Sequence, residues 1–432
     1  MHNNYKFNFL NIYAVNLITV LMMSLLTCLY VLPLNAQDFD VEIRQLTKGP
    51  KSHFFGYIGH VQTIPWNASG RYIVSLETDF TDHMPKPTEA AIINLIDTEN
   101  DNKLIPVDKT HAWNFQQGTM FYWNPEAPET QFFFNDRDTV TNKVFAVLYD
   151  IEKRKRVKEY KYDDTPVGNS GVAQNGGKFL AINYGRIARL RPVTGYPEAY
   201  DWTTGIKHPS DDGVFIIDVK TGEKKLLVSF DQLAKAIEPS DPDATKYELF
   251  INHTLWNRED DLIYFYVRAG YLTREKNVNT PCTITPDGTG LTVHKYYGGH
   301  PEWIENDQII GSTKKDQIIY SIPLKKIVGK IGNPEVLPKT GGDTALSPDG
   351  KWIAVSWKND DLAQSRYIIF RRSDMAYIHT PPLHTWQYNE GELRVDPAPR
   401  WNRTSDALLV PGVTEDGTRQ LFEMKILDKN EE

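Results

Sequence analysis

Along most of the chain, short apolar runs alternate with turns built from Asn, Asp, Gly and Pro. One pattern recurs: an aromatic or apolar residue, a turn, then a strand-like run. It reads PWNASGRYIVSLETD from Pro65, FYWNPEAPETQFFFNDRD from Phe121, VAQNGGKFLAINYGR from Val172 and TLWNREDDLIYFYVR from Thr254. It continues as PEWIENDQIIGST from Pro301, TALSPDGKWIAVSW from Thr344 and PRWNRTSDALLVPGV from Pro399. Apolar runs of strand length bounded by such turns predict strands and hairpins. Most units carry a second strand pair downstream, as in GVFIIDVKTGEKKLL and RQLFEMKILD. Four strands per unit of about 40–50 residues is the sequence signature of a β-propeller. Seven units predict an all-β, seven-bladed β-propeller. A β-sandwich or a pair of β-domains is the alternative, which seven similar units disfavour.

The units are anchored near residues 66, 123, 174, 256, 303, 346 and 401. The interval of 82 residues between the third and fourth anchors breaks the rhythm. It carries the loop ARLRPVTGYPEAYDWTTGIKHPSDDG and a short helical pattern in DQLAKAIEPSDPDATKYELF. Long loops inside compact domains are often functional.

The N-terminus differs from the rest. It is polar with one Lys, then apolar from about Ala14 to Leu34, and LNA precedes Gln37. Residues 1–36 are expected to be a secretory signal peptide and 37–432 a single propeller catalytic domain, exported to the periplasm or beyond. An uncleaved anchor is the alternative, since the run approaches spanning length, as is lipidation at Cys28. A net charge of -8 argues against a nucleic-acid partner, which would call for a basic patch. No membrane span is expected after cleavage, and a monomer is expected.

Cleavage would leave Cys282 as the sole cysteine, so no disulfide could form within the chain. In a propeller, the residues just before each inner strand converge at one end of the channel. His253 and His300 stand at the approaches to neighbouring blades, with Cys282 and His294 between them. Three imidazoles and a thiolate suit a structural zinc site, which would also account for a lone thiol in an oxidising compartment. The alternative is a buried thiol with unrelated histidines.

No nucleotide-binding glycine loop, H-E-x-x-H or G-x-S-x-G occurs. The first three units hold His53, His60, THAWNFQQGTMFYW with His111 and Gln117, FFFNDRD with Arg137, and NYGRIARLRPVTGY. The last contains Tyr184, Arg186, Arg189, Arg191 and Tyr196. His, Tyr and Arg at a channel mouth suit an anionic sugar. The matching reaction is β-elimination on a uronic acid. A base takes the proton at carbon 5, cations stabilise the enolate-like carboxylate, and an acid protonates the group leaving carbon 4. Arginine fits the carboxylate through its planar fork. Gln117, Arg137, Arg191 and Tyr196 are the substrate-binding candidates. A solvated strand edge is the plain alternative for Arg186, Arg189 and Arg191, and a salt-bridged turn for FFFNDRD.

The segments HAWNFQQGTMFYW, FFFNDRD, YGRIARLRPVTGY, HPSDDGVFIIDVKTGEKKLL, GGHPEW and DPAPRWNRTSDALLVPGVTEDGTRQLFEMKI resemble the seven-bladed propeller polysaccharide lyases. The likeness is to ulvan lyases and, more distantly, to oligogalacturonate lyases, over about residues 42–427. It implies an enzyme that eliminates at a uronic acid of an anionic, sulfated, ulvan-like polysaccharide or its oligomers. It further implies His60 and His111 as base or acid, Tyr184 as the other partner, Arg186 as neutraliser, and the structural zinc held by His253, Cys282, His294 and His300. Oligogalacturonate lyases use a catalytic manganese near the C-terminal blades. Here His384 and Gln387 lack a second histidine beside them, and Pro-Ala-Pro stands where one would sit. An oligosaccharide dehydratase and a non-catalytic glycan- or protein-binding propeller remain the alternatives.

Overall fold

A Trp-Asn pair opens four of the seven units, and the computed structural model shows what it does. The Asn side chain closes the first turn. The Tyr72 N–H donates to Asn67 Oδ1 (2.9 Å), the Leu262 N–H to Asn257 Oδ1 (3.0 Å) and the Ala407 N–H to Asn402 Oδ1 (3.2 Å). Asn side chains do this because they mimic a backbone turn. In the sixth unit Ser347 takes the role, its hydroxyl accepting from the Trp352 N–H (2.9 Å). Each turn folds the chain back into an antiparallel neighbour.

The structure describes residues 38–56, 63–272, 277–295 and 298–429. Seven antiparallel sheets form a ring, each contributed in chain order. The first blade comprises Ser52–Phe54, Tyr72–Thr78, Ala91–Asp97 and Lys103–Thr110. The inner strands of blades two to six are Tyr122–Trp123, Gly168–Val172, Phe250–Trp256, Gly298–Glu305 and Thr344–Leu346. The seventh blade runs from its inner strand Arg400–Trp401 through Ala407–Val413 and Arg419–Asp428 to Phe39–Gln45 from the start of the chain. This closes the ring. The Leu46 N–H donates to Leu421 O (2.8 Å), and the Thr47 hydroxyl donates to Gln420 Oε1 (2.7 Å). Val41–Ile426 is one compact unit. Asp38–Asp40 and Leu427–Lys429 belong to a second, small one, in which the Lys429 N–H donates to Asp38 O (2.7 Å). Among the described residues, no helix is long and apolar enough to cross a membrane.

Neighbouring blades are stitched by the anchor tryptophans. The indole N–H of Trp123 donates to Pro65 O (2.7 Å), that of Trp256 to Gly171 O (3.1 Å), that of Trp303 to Leu255 O (3.5 Å) and that of Trp401 to Ala345 O (3.0 Å). Each anchor is buried, so it couples a large apolar contact to one directional bond. Replacing Trp401 by Phe is expected to lower unfolding free energy by about 1–3 kcal/mol, chiefly by orphaning the Ala345 carbonyl, and Trp401→Ala by about 3–5 kcal/mol. Urea titrations of the two variants check the order and the gap.

Candidate functional site

Three residues before an anchor, the inner strand of several blades leaves regular geometry. In blade four the pairing slips between Asn252–Tyr266 and Leu255–Tyr264, and His253 takes a positive φ of 55° in the bulge. In blade five it slips between Gly298–Ser312 and Glu302–Ile310, with His300 inside the irregular stretch. Bulges re-aim side chains and are common beside active sites. In blade six Asp343 stands at the same offset. Gly342 before it is obligatory, because a Cβ there would lie 1.7 Å from Ser356 O. In blade seven Ala398 has a φ of 34°.

The offsets of blades four to six converge on an open cavity of about 520 Å³ lined by His253, His300, Asp343, Arg191, Trp357, Lys358, Arg394 and Asp396, among others. His300 Nδ1 lies 2.7 Å from Asp343 Oδ1. Asp343 is buried and fixed twice more: its Oδ2 accepts from the Ala398 N–H (2.8 Å) and its own N–H donates to Ser356 Oγ (2.9 Å). The pair lies at ion-pair distance without hydrogen-bond alignment, and with the Ala398 N–H it brings the fifth, sixth and seventh blades together. The His253 and His300 rings lie 5.7 Å apart. A second acid, Asp396, gathers Lys358 Nζ (3.1 Å), Arg394 Nε (3.0 Å) and the Gln116 amide. Burial works to raise its pKa, but Lys358, Arg394 and Gln116 outweigh it and hold the carboxyl at about 2.

Of the residues singled out in the sequence, Gln117, Arg191, His253 and His300 line the cavity. Gln117 and His253 also border a narrow annex of about 10 Å³ that reaches Tyr184. The Tyr184 hydroxyl donates to Asn169 O (2.8 Å), and burial lifts its pKa far above the ordinary phenol range. Tyr196 stacks on Tyr184 at 4.5 Å and is held by the Asn135 amide (3.0 Å). Arg137 is buried with its Nη1 on Pro197 O, and burial pulls its pKa down to about 10. His60 lies outside the described residues.

Two catalytic candidates sit elsewhere. His111 faces Asp136, whose carboxylate accepts its backbone N–H (2.8 Å) and pairs with Arg156 (2.8 Å), away from the cavity lining. Arg186 is spent inside the protein. Its guanidinium donates to Leu249 O, Thr203 Oγ1 (2.8 Å), Ile206 O (3.1 Å) and Lys207 O (2.8 Å), and lies over the Phe230 ring. The strand-edge alternative for this stretch is replaced by a helix, α1, Tyr184–Leu190. Asn183 caps it by accepting the Arg186 N–H, so Arg186 turns inward rather than alternating outward.

The four zinc candidates do not converge. His294 Nε2 meets Thr283 Oγ1 (2.9 Å), and its Nδ1 is 3.5 Å from the Tyr320 hydroxyl, so it packs toward blade five. Cys282 precedes Thr283 in the same strand and points to the opposite face, into the apolar core. His253 and His300 are at the cavity. Among the described residues, no group of three or more His, Cys, Asp or Glu side chains is set to hold a metal ion. The residues present do not fit a four-ligand zinc centre. The sequence missed Asp343, Trp357, Lys358 and Arg394; Asp343 alone had a signal, its offset from the anchor.

Two outcomes follow from this geometry. Cys282 is fully buried, and desolvation pushes its thiol pKa far up. A thiol-reactive dye should label it only after unfolding, as read by mass. Asp396 has a folded pKa below its unfolded one. Its stabilisation is full above about pH 4 and fades as pH falls through about 2. Acid unfolding of Asp396→Asn should therefore show a flatter limb over that window than the parent.

No family model matches the sequence, and no curated protein matches it. The fold does have solved counterparts. An oligogalacturonate lyase from Vibrio parahaemolyticus superposes with a TM-score of 0.58 at 11% identity, covering 90% of this chain and 96% of that one. An oligogalacturonate lyase in complex with manganese superposes with a TM-score of 0.59 at 12% identity, covering 91% and 97%. At such identity the likeness is one of fold: this chain is a seven-bladed β-propeller of the shape those lyases share.

Proposed function

We propose that the chain is a carbohydrate-active lyase that eliminates across carbons 4 and 5 of a uronic acid in an anionic polysaccharide or its oligomers. The ulvan-like, sulfated polymer suggested by the resemblance is the substrate class proposed. One observation carries the reading: the His300–Asp343 dyad and Arg191 open onto the same cavity. The propeller shape shared with oligogalacturonate lyases supports it.

The dyad supplies the base. Asp343 lies at ion-pair distance from the Nδ1 side of the ring and stabilises the imidazolium that forms, leaving Nε2 to take the proton at carbon 5. That proton is only weakly acidic, so the charge that develops on the sugar carboxylate must be met by a cation. Arg191 is placed for this on the cavity wall. His253, one ring away from His300, is the group that protonates the oxygen leaving carbon 4. This reading places the base and acid on the fourth to sixth blades and the neutralising arginine on the third. Export through the N-terminal segment remains part of the proposal, as does action as a monomer.

The test is to incubate the purified protein with uronic-acid polysaccharides and their oligomers. The absorbance of the conjugated double bond is followed while product masses are read. A rise with shortened chains is the expected result. His300→Ala and Asp343→Asn are each expected to lower kcat by about 10²–10⁴-fold with little change in melting temperature. A rise with chain length kept and one water lost would mean a dehydratase at the same site. No rise on any uronate would leave a glycan-binding propeller.

A further inference from the structure

Behind Arg191 stands a second arginine. Arg268, on the strand Ile263–Ala269, is only 8% exposed. Its guanidinium lies 4.5 Å from the centre of the Tyr266 ring and 6.0 Å from that of Tyr271. Arg191 lies 4.5 Å from the centre of the same Tyr271 ring. Two guanidinium groups thus share one aromatic platform. Neither has an acid partner among the described residues. Arg191 Nη1 and Arg268 Nε are both buried and make no hydrogen bond among the described residues.

The carboxylate that acts on Arg191, Asp396, is already engaged. Asp396 Oδ1 is already shared by Lys358 and Arg394, and its Oδ2 accepts from Gln116. Lys358 and Arg394 hold this carboxylate, Arg191 feels it from the same cavity wall, and Arg268 stands beyond Arg191. Buried guanidinium donors without partners are costly, and like charges in a low-dielectric wall repel. Burial and Arg268 together pull the Arg191 pKa down to about 10, the direction expected of a cation lacking its counter-ion. Such a pair is stabilised by an incoming oxyanion, which two planar forks can meet with several donors at once.

We infer that Arg191 on the cavity wall and Arg268 packed behind it on the Tyr271 ring form an oxyanion seat, that it receives the carboxylate of the uronic acid, and that Arg268 is an anion-selecting positioning residue of this site. The identity of the oxyanion rests on the lyase reading; the seat rests on the two arginines and their platform. A sulfate ester offers the same chemistry.

The test is calorimetric titration of the full mature chain with galacturonate and glucuronate, with the corresponding neutral sugars and with galactose 6-sulfate. The acids should bind and the neutral sugars should bind at least tenfold more weakly. Arg268→Gln should weaken the acids by about tenfold or more. Arg268→Lys, which keeps the charge and most of the packing but loses the fork, should weaken them less, with an unchanged melting temperature. Should the Gln variant not fold, the Lys variant decides alone: uronate affinity equal to the parent's overturns the seat. Arg268-dependent binding of the sulfated sugar without any of the uronates overturns the carboxylate assignment. Uronate binding that needs Arg268, with no unsaturated product from any substrate, overturns the lyase reading and upholds the seat. Unsaturated product formed with an unchanged KM in both Arg268 variants overturns the seat and upholds the lyase.

Discussion

The indole-to-carbonyl bond between neighbouring blades is the interaction on which the site depends. Each sheet has an apolar face that must be buried, and a sheet edge that must not be left open. A ring solves both, provided adjacent inner strands are held in register. Four tryptophans do that by donating to the main chain of the blade before, and the first strand of the chain completes the last blade. With the register fixed, the residues three before the anchors of blades four, five and six are carried to a common place.

That place is where regular strand geometry is given up. His253 tolerates a left-handed backbone, His300 sits in a slipped register, and Gly342 lets Asp343 approach Ser356 at a distance no side chain would allow. Non-glycine residues at positive φ are uncommon, and clusters of them at one site are consistent with strain retained for function. The surrounding sheets are well packed, which is what allows the irregular positions to persist. Electrostatics follow the same division. Asp396 is shared by three side-chain donors and Asp343 takes a main-chain N–H, whereas Arg191 and Arg268 each keep a buried donor without a partner among the described residues.

The long third interval shows how insertions serve the site without building its floor. It forms the helix Tyr184–Leu190 and the turn Pro192–Thr194, and places Arg191 and Thr194 on the cavity wall. Arg186 and Arg189 of the same stretch are consumed in holding the insertion down, Arg186 on carbonyls and Arg189 on Asp201 and Glu248. Three arginines close in sequence thus divide into two that brace and one that faces the ligand space.

The sequence by itself determined the blade count, because each blade needs its own turn chemistry and apolar runs, and these are local. It also marked His253 and His300, because the approach to an inner strand can be counted from a Trp anchor. Tertiary structure decided the rest. Whether an arginine braces or binds depends on which carbonyls surround it, and a helix cap at Asn183 settled that for Arg186. Cys282 and His294 are near in sequence yet fall on opposite faces of one sheet, since successive strand residues alternate. Lys358 comes from a strand of the sixth blade and Arg394 from the segment leading into the seventh, and no spacing along the chain could announce that the ring brings them to the two histidines and Asp343.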